Sequence, residues 1–207
     1  MGILRKFFNQ TRKPEGRLGR LMLRTMNAGH AKMADWGISY LPQISPVHIV
    51  EFGCGAGRNV GELLKRYPQA HVTAVDYSPL SVEKAKEYNK AMVTAGRCTI
   101  RQGDVSALSF SDGSFDLATA FETVYFWPGL EKCFSEVYRV LKPGGCFLIS
   151  NESDGKDAAS QKFEKIIDGM KAYTAEELEA PLRTVGFSEV ISDHHRSKPW
   201  IRVLARK

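Results

Sequence analysis

His48-Ile49-Val50-Glu51-Phe52-Gly53-Cys54-Gly55-Ala56-Gly57-Arg58-Asn59-Val60 reads as a short apolar strand, a turn with three alternating glycines, and the start of a helix. Glycines so placed let the backbone turn sharply and lie close to a ligand that any Cβ would push away. The helix that follows aims its free N–H groups back at the turn, which suits a carboxylate, a phosphate or a polar nucleoside. Spacing narrows the choice. A dinucleotide fingerprint needs Gly-x-Gly-x-x-Gly, and Arg58 stands where its third glycine would fall. The chain also lacks Gly-x-x-x-x-Gly-Lys-Ser/Thr, so a P-loop is not supported.

Outward from this turn, strand and helix patterns alternate. A helix over 59–67 is stopped by Pro68, and the strand Val72–Val75 ends in Asp76. Ser78-Pro79 caps and opens a helix running to about Ala95, where Gly96 ends it. Cys98–Gln102 and Phe115–Phe121 read as strands, Leu130–Leu141 as a helix, and Pro143-Gly144-Gly145 as a break before the strand Cys146–Asn151. A polar stretch over 154–160 follows, then helices over 161–170 and from Thr174 to Gly186, and strands over 187–192 and 200–205. Such alternation predicts a parallel sheet covered on both faces, with ligands bound beyond the carboxyl ends of the strands. Gly53–Gly57, Asp76, Asp104 and Glu122 all fall on that edge.

A glycine-alternating turn alone also occurs in ordinary loops. The later features decide the reading: Asp76, Gly103-Asp104, Phe115-Asp116-Leu117 and Leu141-Lys142-Pro143-Gly144-Gly145. In this order and spacing, from about Ile44 to about Ser150, the chain resembles the class I S-adenosylmethionine-dependent methyltransferases. The likeness is strongest to the small-molecule enzymes related to ubiquinone and menaquinone biosynthesis. The resemblance implies a Rossmann-like, doubly wound, mostly parallel seven-stranded α/β sheet with one antiparallel edge strand and an N-terminal helical extension. It implies S-adenosylmethionine as cofactor and a small-molecule methyl acceptor. Gly53, Gly55 and Gly57 would approach the adenosine and methionine portions, and Glu51 would anchor the turn and, through its surroundings, the methionine amine. Asp76 would accept from both ribose hydroxyls, a task that suits the two oxygens of a carboxylate. Tyr77 would stack on adenine, Asp104 would accept from its amino group, Val105 would offer its backbone N–H, and Glu122 would lie near the methionine end or the acceptor. Two rival readings remain: a protein that binds the cofactor without catalysis, and an RNA methyltransferase. An Asn-Pro-Pro-Tyr-type signature is absent; the corresponding run is Glu122-Thr123-Val124-Tyr125-Phe126-Trp127, which favours another acceptor.

At 207 residues, 43% hydrophobic and 25% charged, the chain suits one soluble globular unit, divided as a basic arm and helical cap over 1–43 and the cofactor-binding domain over 44–207. No apolar run reaches the ~20 residues of a membrane span. The four cysteines form no Cys-x-x-Cys, and no metal site is expected; a reducing cytoplasm is the expected location. Residues 1–24 hold seven basic residues against Glu15 alone and so account for the whole net charge of +6. The basic character therefore belongs to the arm, which is a candidate for contact with an anionic surface; the body gives little support to nucleic acid as a partner. The arm is expected to be dispensable for the fold and for cofactor binding. Met1–Gln10 reads as a short amphipathic helix and residues 18–41 as helix interrupted at Gly29 and Gly37. His30 and Trp36 from that cap, with Tyr125 and Trp127 after the fourth strand, are the candidate acceptor wall, and Glu152 and Asp154 are the next place to look. No general base is evident, and the protein is expected to be a monomer or a homodimer.

Overall fold

The computed structural model describes residues 2–207; the side chains of Ile3 and Leu4, part of the expected amphipathic arm, lie outside the described residues. Seven strands form one sheet: β1 (His48–Phe52), β2 (His71–Asp76), β3 (Cys98–Gln102), β4 (Phe115–Phe121), β5 (Leu141–Asn151), β6 (Glu189–His194) and β7 (Ile201–Arg206), in the order β3-β2-β1-β4-β5-β7-β6. The first five are parallel to their neighbours, and β7 runs antiparallel to both β5 and β6. The expected reversed hairpin thus closes that edge of the sheet. The strand order reverses between β1 and β4, and a crevice opens at such a switch point beyond the strand ends.

Alternation along the central strands divides the core in two. Val50, Phe52, Ala118, Ala120, Phe147 and Ile149 face α7 (Leu130–Val140) and α9 (Ala175–Val185), meeting Phe134, Val137, Leu178 and Leu182. Ile49, Leu117 and Leu148 face the other way, toward α3 (Ala31–Ser39), α4 (Arg58–Arg66) and α5 (Pro79–Tyr88), where Ile38, Val60, Leu63 and Ala85 complete the second core. All four cysteines are reduced and buried within or beside these cores. At the strand starts, Asp116 accepts from the Val47 and His48 amides and from Lys142 Nζ at 2.7–3.0 Å, which ties β1, β4 and β5 together.

Several boundaries shift from the sequence reading, each for a tertiary reason. Residues 79–95 are two helices, α5 and α6 (Lys90–Thr94), because the side-chain amide of Asn89 turns inward and donates to Gly57 O at 2.9 Å. The cap likewise divides into α2 (Gly16–Gly29) and α3, with His30 at the junction in a non-helical conformation. The stretch read as loop over 154–160 contains the start of α8 (Ala158–Ile166), which Asp157 caps by accepting from the Ser160 amide. The strand at Cys146 begins earlier, at Leu141, with an irregular register opposite Phe115–Leu117. Thr174 and Glu177 form the expected capping box, and Gly186 ends α9.

Ahead of α2 come helix α1 (Ile3–Phe8) and the segment to Pro14. Asp168 holds this arm: it pairs with Arg5, accepts from Asn9 Nδ2 at 3.0 Å, and offers its carbonyl to Arg12. Ser78 Oγ donates to Pro14 O at 2.9 Å, and Lys13 Nζ lies 5.3 Å from the centre of the Tyr77 ring.

Candidate functional site

The turn after β1 needs its glycines. Gly53, Gly55 and Gly57 all have positive φ, at 70°, 51° and 84°. A Cβ on Gly53 would collide with the Thr123 side chain, and one on Gly57 would come within 2.6 Å of Asn89 Nδ2 and 2.9 Å of Ala85. Gly57 then serves as the N-cap of α4, and among the described residues no side chain caps that helix. The Gly53 and Cys54 amides donate to Val75 O, which fixes the turn to the end of β2.

Acidic side chains gather around this turn. Glu51 is buried, and its Oε2 has no hydrogen-bond partner. Burial first, then the neighbouring Asp76 charge, pushes its pKa up to about 8. The Asp76 carboxylate accepts from the Gly55 amide through Oδ2 and from the Ser78 amide through Oδ1, both at 2.8 Å. Those bonds favour its charged form, but burial outweighs them and raises its pKa. Asp104 accepts from the Ser106 amide at 2.8 Å. A cleft of about 370 Å³ connects Gly53, Gly55, Asp76, Tyr77, Asp104, Val105 and Glu122, with Trp127 and His30 also on its wall. Tyr77 is 56% exposed, so one face of its ring is free to be covered. Glu51 and Gly57 lie behind the lining, beneath the turn.

A second cavity, about 660 Å³, adjoins the first and shares Thr11, Met26, His30, Glu122 and Phe126 with it. Its wall is largely apolar: Phe7, Phe8, Met22, Phe163, Ile167, Met170 and Trp200. Its polar end is a cluster of His30, Glu122 and Glu152, which the sequence places 30 to 122 residues apart. His30 Nδ1 lies 3.1 Å from Glu152 Oε2 and 3.6 Å from Glu122 Oε2. Tyr125 Oη donates to Glu122 Oε1 at 2.9 Å, and the Glu152 amide donates to the same oxygen. Glu122 has φ of 57°, rare outside glycine, and these two bonds hold its carboxylate in place. Burial raises the Glu122 pKa to about 7 against the lowering effect of His30, and the Glu152 charge adds to the rise. Burial alone would lower the His30 pKa, but the two carboxylates overcome it and raise it. Among the described residues, His30, Glu122 and Glu152 are the histidine–carboxylate group whose donor atoms all lie within 4.8 Å of one another.

The candidate acceptor wall divides. His30 and Tyr125 line the second cavity. Trp127 touches only the first cavity and is otherwise core, against Phe52 and Phe134 and stacked on Phe147 at 6.2 Å. Trp36 lines neither cavity: it packs on His195 and Trp200, under the Arg202 guanidinium at 4.2 Å. Helix α3 thus turns its indole onto the reversed hairpin, away from both cavities. The arm also departs from expectation. Thr11, Arg12 and Pro14 line the first cleft, and Phe7 and Phe8 the second, so the arm is part of both walls. Sequence reasoning missed Thr11, Arg12 and Thr123, none of which carries a local signal; Phe126 was visible only as one member of an aromatic run.

A sheet of this order, with a reversed hairpin at one edge, is the fold of class I methyltransferases. Residues 49–145 match the family model described as a methyltransferase domain. The chain is 33% identical over 136 residues to sterol methyltransferase-like 2 of Botryococcus braunii, covering 64% of this chain and 35% of that protein. It is 30% identical over 165 residues to a sterol 24-C-methyltransferase of Neurospora crassa, covering 73% of this chain and 43% of that one. The chain thus spans less than half the length of these curated relatives. Among solved structures, the fold matches a Haloferax volcanii methyltransferase in complex with a methyltransferase activator, at TM-score 0.82 and 19% identity over 89% of this chain and 93% of that one. It also matches human N-acetylserotonin methyltransferase in complex with S-adenosylmethionine, at TM-score 0.74 and 17% identity over 90% and 55% of the two chains. Residues 49–145 thus match a methyltransferase domain, and the chain as a whole has the fold of these methyltransferase structures. Among the described residues no helix is long and apolar enough to cross a membrane.

Proposed function

We propose that this protein transfers a methyl group from S-adenosylmethionine in the first cleft to an apolar small molecule in the second. The observation that carries the reading is the shared wall: His30, Glu122 and Phe126 face both cavities, where donor and acceptor would meet. Among the described residues Glu51 Oε2 has no partner, and the left-handed glycine turn bends the backbone over it, which fits a ligand with a polar, cationic end at the turn. S-adenosylmethionine, when bound, supplies an activated methyl on a sulfonium. Asp76 would take the ribose hydroxyls on the lone pairs that the Gly55 and Ser78 amides leave free. Asp104 and the Val105 amide would take the adenine edge, with Tyr77 over its face. Glu51 would hold the methionine amine through the turn.

The remaining task is alignment and, for an acceptor bearing a proton, its removal. Glu122 carries out the second: its carboxyl is near half-ionised at neutral pH, the ionised form accepts the proton, and His30 at 3.6 Å favours that ionised form beforehand. Tyr125 positions Glu122 and does not itself ionise, since burial and the Glu122 charge push its pKa far up. The arm's Phe7 and Phe8, with Phe163, keep water from the acceptor. Sterol methyltransferases among the relatives act, by name, on an apolar acceptor, which supports the same substrate class here. The test is incubation with methyl-labelled S-adenosylmethionine and the organic and aqueous fractions of a metabolite extract. Label is expected in an organic-phase product, with stoichiometric S-adenosylhomocysteine. Label appearing only in RNase-sensitive material would overturn the reading, as would cofactor binding without any turnover.

A further inference from the structure

The outer face of α2 carries two residue types that water does not explain together. Leu18 and Leu21 are 43% and 51% exposed. Arg17, Arg20 and Arg24 are exposed beside them, and the helix carries no acidic residue. Glu15, just ahead of it, is taken up by Lys13. At 3.6 residues per turn, Arg20, Arg24, Arg17, Leu21, Thr25 and Leu18 form one continuous strip of roughly 160°. The opposite side, through Gly19, Met22 and Leu23, is buried in the protein. An arginine edge beside a leucine edge on one exposed strip is the pattern of a helix that lies in a membrane interface.

We infer that α2 docks this protein on an anionic lipid surface, with Leu18 and Leu21 entering the headgroup region and Arg17, Arg20 and Arg24 meeting the lipid phosphates. Charge complementarity selects that occupant. Residues 1–24 carry the whole net charge of the chain, and the body is neutral. Position supports it too. Thr25 is exposed on the strip and also lines the second, apolar cavity, so the mouth of that cavity opens one turn from Leu21. An apolar acceptor dissolved in the lipid would reach the cavity without crossing water. That last step rests on the proposed acceptor class; the docking does not.

Co-sedimentation with sucrose-loaded vesicles tests the docking on the full chain. Vesicles of phosphatidylcholine alone are compared with an equimolar phosphatidylcholine–phosphatidylglycerol mixture, at low and high salt. The protein is expected to sediment with the anionic vesicles and to be released as salt rises. Neutralising the arginines together, as R17Q/R20Q/R24Q, should weaken binding by roughly fivefold each, on the order of 100-fold in all. L18S/L21S should weaken it at unchanged charge. None of these side chains lines either cavity, so S-adenosylhomocysteine affinity by calorimetry should stay at the wild-type value in both variants. Failure to sediment overturns the proposal, as does equal binding to neutral vesicles or indifference to the leucine changes. Arginine-dependent binding to RNA without vesicle binding would give the strip to a different partner. Vesicle binding by a protein that transfers no methyl group would count against the catalytic reading alone.

Discussion

Glu51 offers a test that needs no acceptor. Its carboxyl has an ordinary value of 4.5 and sits near 8 in the folded chain, because burial and the Asp76 charge both disfavour ionisation. An acid whose folded pKa is raised binds its proton in the folded state after the unfolded chain has released it. Stability therefore falls as pH rises, starting near 4.5 and levelling off above about 8. The full shift corresponds to a loss of about 5 kcal/mol, an upper limit for a group that can relax toward water. Glu51→Gln removes the titration while keeping the shape. The variant should match the wild type near pH 4.5 and become progressively more stable than it toward pH 9. For a chain of this length each kcal/mol moves the midpoint by about 2–4 °C, so a gap of at least ~5 °C at pH 9 is expected even if half the shift is relaxed away. Thermal unfolding followed by circular dichroism across that pH range reads the gap directly. The same variant should lose S-adenosylhomocysteine affinity above about pH 8, where the wild-type carboxyl is ionised, and keep it near pH 6, where the carboxyl is neutral. A midpoint difference that stays flat from pH 5 to pH 9 would refute the reasoning, because Glu51 would then not hold its proton in the fold.

Asp76→Ala should weaken cofactor binding by about 1.5–3 kcal/mol, as for lost hydrogen bonds to a charged group, and calorimetry on the folded variant checks this. Removal of residues 2–13 should raise the cofactor dissociation constant, since Thr11 and Arg12 line the cleft; unchanged affinity would return the arm to the status of a tail. The rate of methyl transfer to a proton-bearing acceptor should climb through about pH 7, where Glu122 loses its proton, and Glu122→Gln should abolish that limb. Trp127→Ala should cost about 3–5 kcal/mol of stability in a denaturant melt, because the indole is core, whereas Tyr125→Phe should leave stability within ~1.5 kcal/mol and shift the pH–rate profile.

What the sequence made legible is local in origin. The glycines after β1 are needed by their own φ values, Asp76 ends β2 and Asp104 stands two residues past β3, so a linear reading finds them. The proline and capping signals at Ser78-Pro79 and Thr174–Glu177 also act within a few residues, and both helices begin where those signals stand. The illegible part depends on contacts across the fold. Asn89 breaks a helix because it meets Gly57 O, 32 residues away. The arm follows the cleft because Asp168, more than 150 residues on, holds Arg5 and Asn9. His30 reaches Glu122 and Glu152 because the cap breaks there, and no spacing rule joins those positions. Trp36 was legible as an apolar residue on a helix but not as to side: the face of α3 that carries it is chosen by the hairpin ending in β7, with Arg202 over the ring.

The acids of the two cavities also explain one another. Glu51, Asp76 and Glu122 all have raised pKa values, and burial is the leading cause for each. A fold gains nothing in isolation from three buried carboxyl groups, since each opposes folding as pH rises above its ordinary range. They are tolerable if the molecule's working state supplies positive charge. S-adenosylmethionine brings an ammonium and a sulfonium, which would lie by the glycine turn and near Glu122. With the sulfonium lost on methyl transfer, Glu122 would face a neutral group, and its carboxylate would then favour taking up a proton. The same side chain that is destabilising in the empty protein is thereby matched to the donor before transfer and to the released proton after it. His30 is placed between Glu122 and Glu152, where it keeps the two negative charges from opposing each other in between.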